Sequence, residues 1–346
     1  MGEAPKQTAP GRLSREEIAA RLTTLAPRLA DGAIEIADVE RLTGGASMET
    51  WAFRAVGKDG DVPLILRRRA APAGTTAVAK PPLRREAEVI AAAVACGVPA
   101  PRVVYVCDEA EDGLAEGYVM HRVSGETLGK RIASDPAFVG VRATLAQQCG
   151  AALARIHAVA PIAGLERSDA ASTLANYERA WRESGAVRPI IEAAFRWLEH
   201  RLPREPVTPR LVHGDFRNGN LMVNPRQGLV AVLDWELAHV GDPAEDLGWL
   251  ATASWRSGRP DKRVGGFGDV ADLLAGYEQA GGEPITPERV EFWSMLGSLK
   301  WGVMTTGMYA SFAADPGAGP ERAVIGRRLS ETEADIVAII ERRARC

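Results

Sequence analysis

Two short apolar runs around a polar insert set the terms on which this chain can fold. The first stretch is Leu211-Val212-His213-Gly214-Asp215-Phe216-Arg217-Asn218-Gly219-Asn220-Leu221-Met222-Val223, and Leu229-Val230-Ala231-Val232-Leu233-Asp234-Trp235-Glu236 follows it closely. Apolar runs of this length, bounded by Gly, Pro and Asn, read as strands. The segment Asn224-Pro225-Arg226-Gln227-Gly228 reads as the turn joining them. The expected arrangement is a hairpin with Asp215 and Asn220 on one loop and Asp234 at the end of the next strand. Such a trio suits phosphoryl transfer. One carboxylate orients a hydroxyl and takes its proton, while an amide oxygen and a second carboxylate hold magnesium against phosphates.

The pattern His-Gly-Asp-x-x-x-x-Asn followed by Leu-Asp-Trp-Glu resembles the aminoglycoside phosphotransferase and choline kinase branch of the kinase-like fold. The nearest resemblance is to bacterial phosphotransferases akin to the kinase-like domain attached to some acyl-CoA dehydrogenases. This resemblance implies an α+β, bilobal, protein-kinase-like fold: a small antiparallel-sheet N-lobe and a larger, mostly helical C-lobe. It also implies ATP and Mg²⁺ as cofactors and a small-molecule hydroxyl as acceptor. The expected organisation is a disordered tail over 1–12, a nucleotide-binding lobe with a leading helix over 13–123, and a catalytic and substrate lobe over 124–346.

Bulk properties agree with a soluble enzyme and narrow the partners. At 346 residues, with 46% hydrophobic and 25% charged residues, the chain can bury two substantial cores. A net charge of −3 gives no electrostatic case for nucleic acid. No apolar run approaches the roughly 18 residues that a membrane span requires. Cys96, Cys107, Cys149 and Cys346 form neither a C-x-x-C pair nor a zinc spacing, and with no signal peptide they read as reduced thiols of a cytoplasmic protein.

Taken in order, Ser14-Arg15-Glu16-Glu17 reads as a capping box opening a helix, and Ile34 to Leu42 as a strand. Gly44, Gly45 and Ser47 lie in a small-residue loop before the strand Trp51 to Val56, where the family's phosphate-covering loop belongs. Leu64-Ile65-Leu66 is a third strand ending in Arg67-Arg68-Arg69. The resemblance puts Arg67 where many kinases have Lys, a departure in shape and reach. Arg68 and Arg69 fit a solvated strand end. The helix from Leu83 to Val94 carries Glu86, the family's partner for the basic strand residue. Tyr118 to Gly125 matches the family's hinge, whose backbone near Met120 and Arg122 is expected to hold adenine. Gly125-Glu126-Thr127-Leu128-Gly129-Lys130-Arg131 has three residues between its glycines and no Ser or Thr after Lys130, so it is not a P-loop.

Helical patterns follow over Arg142 to Val159, in two pieces between Leu174 and Leu202, and from Ala271, Pro287 and Glu331. By the resemblance, His157 and Asp246 are structural, Asp246 bracing the catalytic loop, and His213 holds that loop in place. Arg217 suits either a phosphate contact or pairing with a carboxylate. The function read from these residues is ATP-dependent phosphorylation of a small-molecule hydroxyl, with a hydroxyacyl-CoA or related catabolic intermediate as candidate acceptor. An aminoglycoside or aminoalcohol kinase, with Glu236, Asp242 and Glu245 near a cationic acceptor, is the second reading. A nucleotide-binding pseudokinase is the third.

Overall fold

The structure is a computed structural model that describes residues 13–42, 48–58, 60–69, 82–315 and 320–344, so Gly44, Gly45 and Ser47 lie outside the described residues. The chain divides into two compact units: Met1–Ala95 with Ala100–Ser124, and Cys96–Pro99 with Gly125–Cys346.

In the first unit, α1 (Arg15–Leu29) begins at a closed capping box. Glu17 donates its backbone N–H to Ser14 Oγ (3.1 Å), and Ser14 N–H returns a bond to Glu17 Oε2 (2.6 Å). Such a cap contributes about 1 kcal/mol. Ile18, Leu22, Leu25 and Leu29 form the buried stripe of this helix. They pack on a five-stranded antiparallel sheet of order β1-β2-β3-β5-β4, built from β1 (Ala33–Leu42), β2 (Met48–Gly57), β3 (Gly60–Arg69), β4 (Val103–Val106) and β5 (Gly117–His121). Period-two alternation puts Trp51, Phe53 and Ala55 of β2 in the core with Leu64 and Leu66 of β3. Helix α2 (Leu83–Ala95) precedes β4, and the one-turn α3 (Glu109–Asp112) lies between β4 and β5.

The same alternation corrects the reading of Arg68. It continues the series Leu64, Leu66 and is carried inward, to 2% exposure, instead of into solvent. Its charge is met by Glu49, its register partner on β2, at 2.9 Å, and its Nε donates to Leu114 O at 2.8 Å. Burial lowers the Arg68 pKa from its usual value, and Glu49 opposes that shift. Arg69 is also engaged, at 2.7 Å from Glu116.

The second unit is mostly helical: α4 (Gly129–Ser134), α5 (Val139–His157), α6 (Ala170–Ser184), α7 (Pro189–Glu199), α8 (Ala244–Ala251), α9 (Val270–Gln279), α10 (Pro287–Ala314), α11 (Pro320–Gly326) and α12 (Leu329–Ala344). Helix α10 starts at the Thr286 cap with Pro287 in its first turn. It is buried continuously from Val290 to Leu299, as expected of a helix surrounded by others. Helices α5 and α9 meet at glycines. A Cβ at Gly150 would fall 2.1 Å from Leu273 O, and one at Gly276 would fall 2.1 Å from Gln147 O. Trp181 and Phe195 are core residues, 0% and 1% exposed.

Four short strands complete the second unit: β6 (Arg210–Val212), β7 (Leu221–Asn224), β8 (Gly228–Val232) and β9 (His239–Gly241). The expected hairpin exists as β7–β8, closed by Asn224 Oδ1 accepting from Arg226 and Gln227 N–H. The first apolar run, β6, pairs instead with β9, which follows Asp234 by a few residues. Residues 213–220 and 233–238 therefore form two loops, each joining one strand pair to the other.

Candidate active site

Backbone bonds hold the two loops of the second unit together. Asn220 O accepts from Leu233 N–H (2.8 Å), and Leu233 O lies 3.0 Å from His213 Nε2. His213 Nδ1 accepts from Asp215 N–H at 3.2 Å, so Nε2 carries the proton donated to Leu233. Burial lowers the His213 pKa despite the nearby carboxylates Asp246, Asp215 and Asp234, which agrees with this neutral tautomer. The ring packs against Trp235, 4.7 Å between centroids. Gly214 has φ +79°, and a Cβ there would meet Leu237 O at 2.5 Å, so this turn requires glycine.

Asp246, 0% exposed, braces the loop from α8. Its oxygens accept from His213 N–H (2.8 Å) and Gly214 N–H (2.9 Å), and His157 Nε2 lies 3.2 Å away. Burial pushes its pKa up, but the His157 hydrogen bond and the neighbouring His and amide groups more than compensate and hold it below the usual carboxylate value. His157 Nδ1 is in turn 2.9 Å from Tyr277 Oη, which links α8, α5 and α9.

This scaffold presents Asp215 with both carboxylate oxygens engaged. Oδ1 accepts from Trp249 Nε1 (2.7 Å) and Arg217 Nε (2.9 Å), and Oδ2 accepts from Asn220 Nδ2 (2.7 Å). Asn220 Nδ2 also donates to Asp215 O at 2.9 Å. Both amide protons of Asn220 are thereby used, which orients Oδ1 as the atom available to a hard cation. Asp234, directly after the clasped Leu233, has φ +63°. A non-glycine residue in this left-handed region carries local strain, a state that the surrounding bonds must enforce. Among the described residues no cluster of three or more His, Cys, Asp or Glu could hold a metal. One amide oxygen and one carboxylate nevertheless fit Mg²⁺, which takes few protein ligands when phosphates supply the others.

In the first unit, β3 and α2 bring Arg67 and Glu86 together: Arg67 Nε is 3.6 Å from Glu86 Oε1, which also accepts from Tyr118 Oη at 3.1 Å. Glu86 is 5% exposed, unlike an ordinary surface helix glutamate. Met120 sits on β5 opposite Ile65. The backbone at Arg122 is partly engaged. Its N–H is donated to Pro63 O (2.9 Å), so that amide is not open to a base.

The residues around Asp215 include several to which the sequence reading gave no role. Trp249, the donor to Asp215, has Lys300 Nζ 4.6 Å from its ring centroid. Trp255 packs edge-on against both Trp249 (5.1 Å) and Trp301 (4.9 Å), and the Arg217 guanidinium lies 4.4 Å over its ring. Met304, Met308 and Ile325, all partly buried, complete this cluster. Trp255 Nε1, Trp301 Nε1 and Asn218 Oδ1 are buried without a hydrogen-bond partner. These contacts join α8 to α10 across some fifty residues, a separation at which a single sequence gives no periodic or motif signal. Arg217 pairs with the Asp215 carboxylate, one of its two expected roles.

The family model described as "Phosphotransferase enzyme family" matches residues 38–293. Acyl-CoA dehydrogenase family member 10 of Mus musculus is 31% identical over 222 residues, 60% of this chain but only 20% of the relative. The chain thus spans about a fifth of that protein's length. A Ralstonia eutropha protein assigned to the aminoglycoside phosphotransferases superposes with a TM-score of 0.69 at 20% identity, covering 93% of this chain and 98% of that one. A thermostable mutant of aminoglycoside phosphotransferase APH(4)-Ia, in ternary complex with AMP-PNP and hygromycin B, superposes at 0.59 with 16% identity, covering 92% and 98%. These likenesses show the kinase-like fold expected from the sequence. With the family match extending over most of its length, the chain belongs to the phosphotransferase enzyme family and is a small-molecule kinase.

Proposed function

We propose that the chain transfers the terminal phosphoryl group of ATP, with Mg²⁺, to a hydroxyl of a small acyl metabolite, a hydroxyacyl-CoA or a related intermediate. The observation that carries the reading is the trio Asp215, Asn220 and Asp234, set on two loops clasped through Leu233. Asp215 orients the acceptor hydroxyl and takes up its proton as the new O–P bond forms and the bond from the γ-phosphorus to the β–γ bridging oxygen breaks, with ADP as the leaving group. Asn220 Oδ1 and the Asp234 carboxylate hold Mg²⁺, which when bound supplies positive charge for the phosphate oxygens. Arg67, positioned by Glu86, contacts the nucleotide phosphates, and Gly44, Gly45 and Ser47 are assigned to the same phosphates from the sequence. Met120 and the carbonyl of Arg122 belong to the adenine site. Such a reaction depends on positioning and charge neutralisation more than on covalent chemistry.

A cationic acceptor is the weaker reading, because two of the three carboxylates named for it, Asp242 and Glu245, are already committed. Asp242 accepts from Arg289, Trp293 and the Ala244 amide, and Glu245 pairs with His239 at 3.2 Å. The acyl reading draws its support from the likeness to an acyl-CoA dehydrogenase family member and from the Lys300 ammonium over Trp249, the donor to Asp215.

Asp215→Asn and Asp234→Asn should each lower phosphoryl transfer by about 10³-fold or more, an estimate from the typical cost of removing a charge-stabilising or positioning group. Asn is the appropriate replacement at 234, since it tolerates the left-handed backbone. Melting temperatures should stay close to that of the parent. Turnover within tenfold of the parent in either variant would remove the assignment.

A further inference from the structure

We propose that Lys300 holds an anionic group, a carboxylate or a phosphate, on the same small molecule whose hydroxyl Asp215 orients. The proposal rests on the reading of Asp215 as the acceptor-orienting residue. Lys300 is partly buried on α10, with its ammonium on the face of Trp249, the indole that donates to Asp215. Burial works against its charge, but Tyr177, Glu245, Asp215 and Asp246 outweigh that and keep the ammonium protonated.

A charged lysine so placed normally reaches a carboxylate, because an unpaired buried charge is costly. Each nearby acid is already taken. Glu245 is with His239, Asp246 holds two backbone amides and His157, and Asp215 holds Trp249, Arg217 and Asn220. Among the described residues Lys300 makes neither an ion pair within 4.0 Å nor a hydrogen bond, which leaves it the ring face alone. The adjoining cluster adds a second sign of a missing acceptor: the indole N–H groups of Trp255 and Trp301, residues 8% and 9% exposed, are buried without partners. Against these three donors the cluster has one unsatisfied acceptor, Asn218 Oδ1. Its chemistry therefore calls for oxygen atoms with negative charge. The partly buried Met304, Met308 and Ile325 beside it suit an apolar chain on the same ligand.

The test is isothermal titration of the full chain with three probes: 3-hydroxyoctanoate, its neutral amide, and 8-hydroxyoctyl phosphate. The parent should bind at least one anionic probe about tenfold more tightly than the amide, and whichever anion wins identifies the group. Lys300→Met keeps the aliphatic cover on Trp249 and should bring that ratio to about one, while Lys300→Arg should retain it. Lys300→Gln repeats the charge loss should the Met variant fold poorly, with folding checked by melting. The proposal is overturned if the parent binds amide and anions equally, or if the ratio survives in folded Lys300→Met or Lys300→Gln. A transfer assay on Asp215→Asn separates the two ideas. Retained transfer there removes the kinase assignment of Asp215, whereas equal binding of amide and anions removes only the role of Lys300.

Discussion

Asp246 shows how one buried side chain can hold a loop in place. Two peptide N–H groups and one imidazole converge on a carboxylate that has no contact with water. Replacing it with alanine would leave those donors buried and unmatched. Asp246→Ala should therefore cost about 3–5 kcal/mol in urea unfolding, the range for breaking a buried charged network. A loss below about 1 kcal/mol would mean the brace does not bear on stability. At this scale the sequence was most readable where function is local. Asp215, Asn220 and Asp234 lie on a contiguous stretch whose strands and turn follow from apolar runs and an Asn-Pro-Arg-Gln-Gly segment. Arg68 was misread because three consecutive arginines look like a polar strand end. Only the register with Glu49 shows that alternation carries the middle one inward.

Among elements, the contact between α5 and α9 governs how accurately the brace is placed. His157 ends α5 and Tyr277 lies on α9, so the distance between these helices sets the position of the imidazole that supports Asp246. Glycines at 150 and 276 permit the approach, with no space for a methyl group on either. Gly150→Ala should cost about 1–3 kcal/mol net, because the clash with the Leu273 backbone oxygen exceeds the roughly 1 kcal/mol by which Ala favours a helix over Gly. Transfer should fall while the far-UV spectrum is preserved. Equal or greater stability in this variant would show that the helices have slack. The sequence marked both helices by their periodicity but gave no sign of their closeness, because a helical glycine reads only as a weak helix former. The pairing of β6 with β9 was similarly hidden: the apolar runs and the Asn224–Gly228 turn point to the β7–β8 hairpin alone, whereas β6 closes against a strand beyond both loops.

For the whole molecule, the family assignment rests on a match spanning 38–293, yet the groups proposed to handle nucleotide and acceptor are divided between the two compact units. A ligand that binds only the folded protein raises its stability by mass action, about 2.7 kcal/mol at one hundred times the dissociation constant. MgATP should therefore raise the melting temperature more than ATP alone. In Asp234→Asn the increment due to magnesium should disappear, while ATP without metal still stabilises. An unchanged magnesium increment in that variant would move the metal away from Asp234. Among the described residues no helix is long and apolar enough to cross a membrane. The cluster proposed to face the acceptor was the least legible part of the chain. Trp249, Trp255, Lys300 and Trp301 come together only after α8 packs on α10, and nothing in their local sequence distinguishes them from ordinary core residues.

The clasp around Leu233 bears on which positions can drift over evolutionary time. Its N–H and carbonyl are held by Asn220 O and His213 Nε2, and neither bond involves the Leu233 side chain. Residue 233 can therefore exchange among apolar types without disturbing the trio beside it. Position 213 has no such freedom, since its side chain must accept a hydrogen bond at one edge and donate one at the other with the span of an imidazole. Tolerance to substitution should alternate sharply along these loops, according to whether a contact is made by peptide or by side chain.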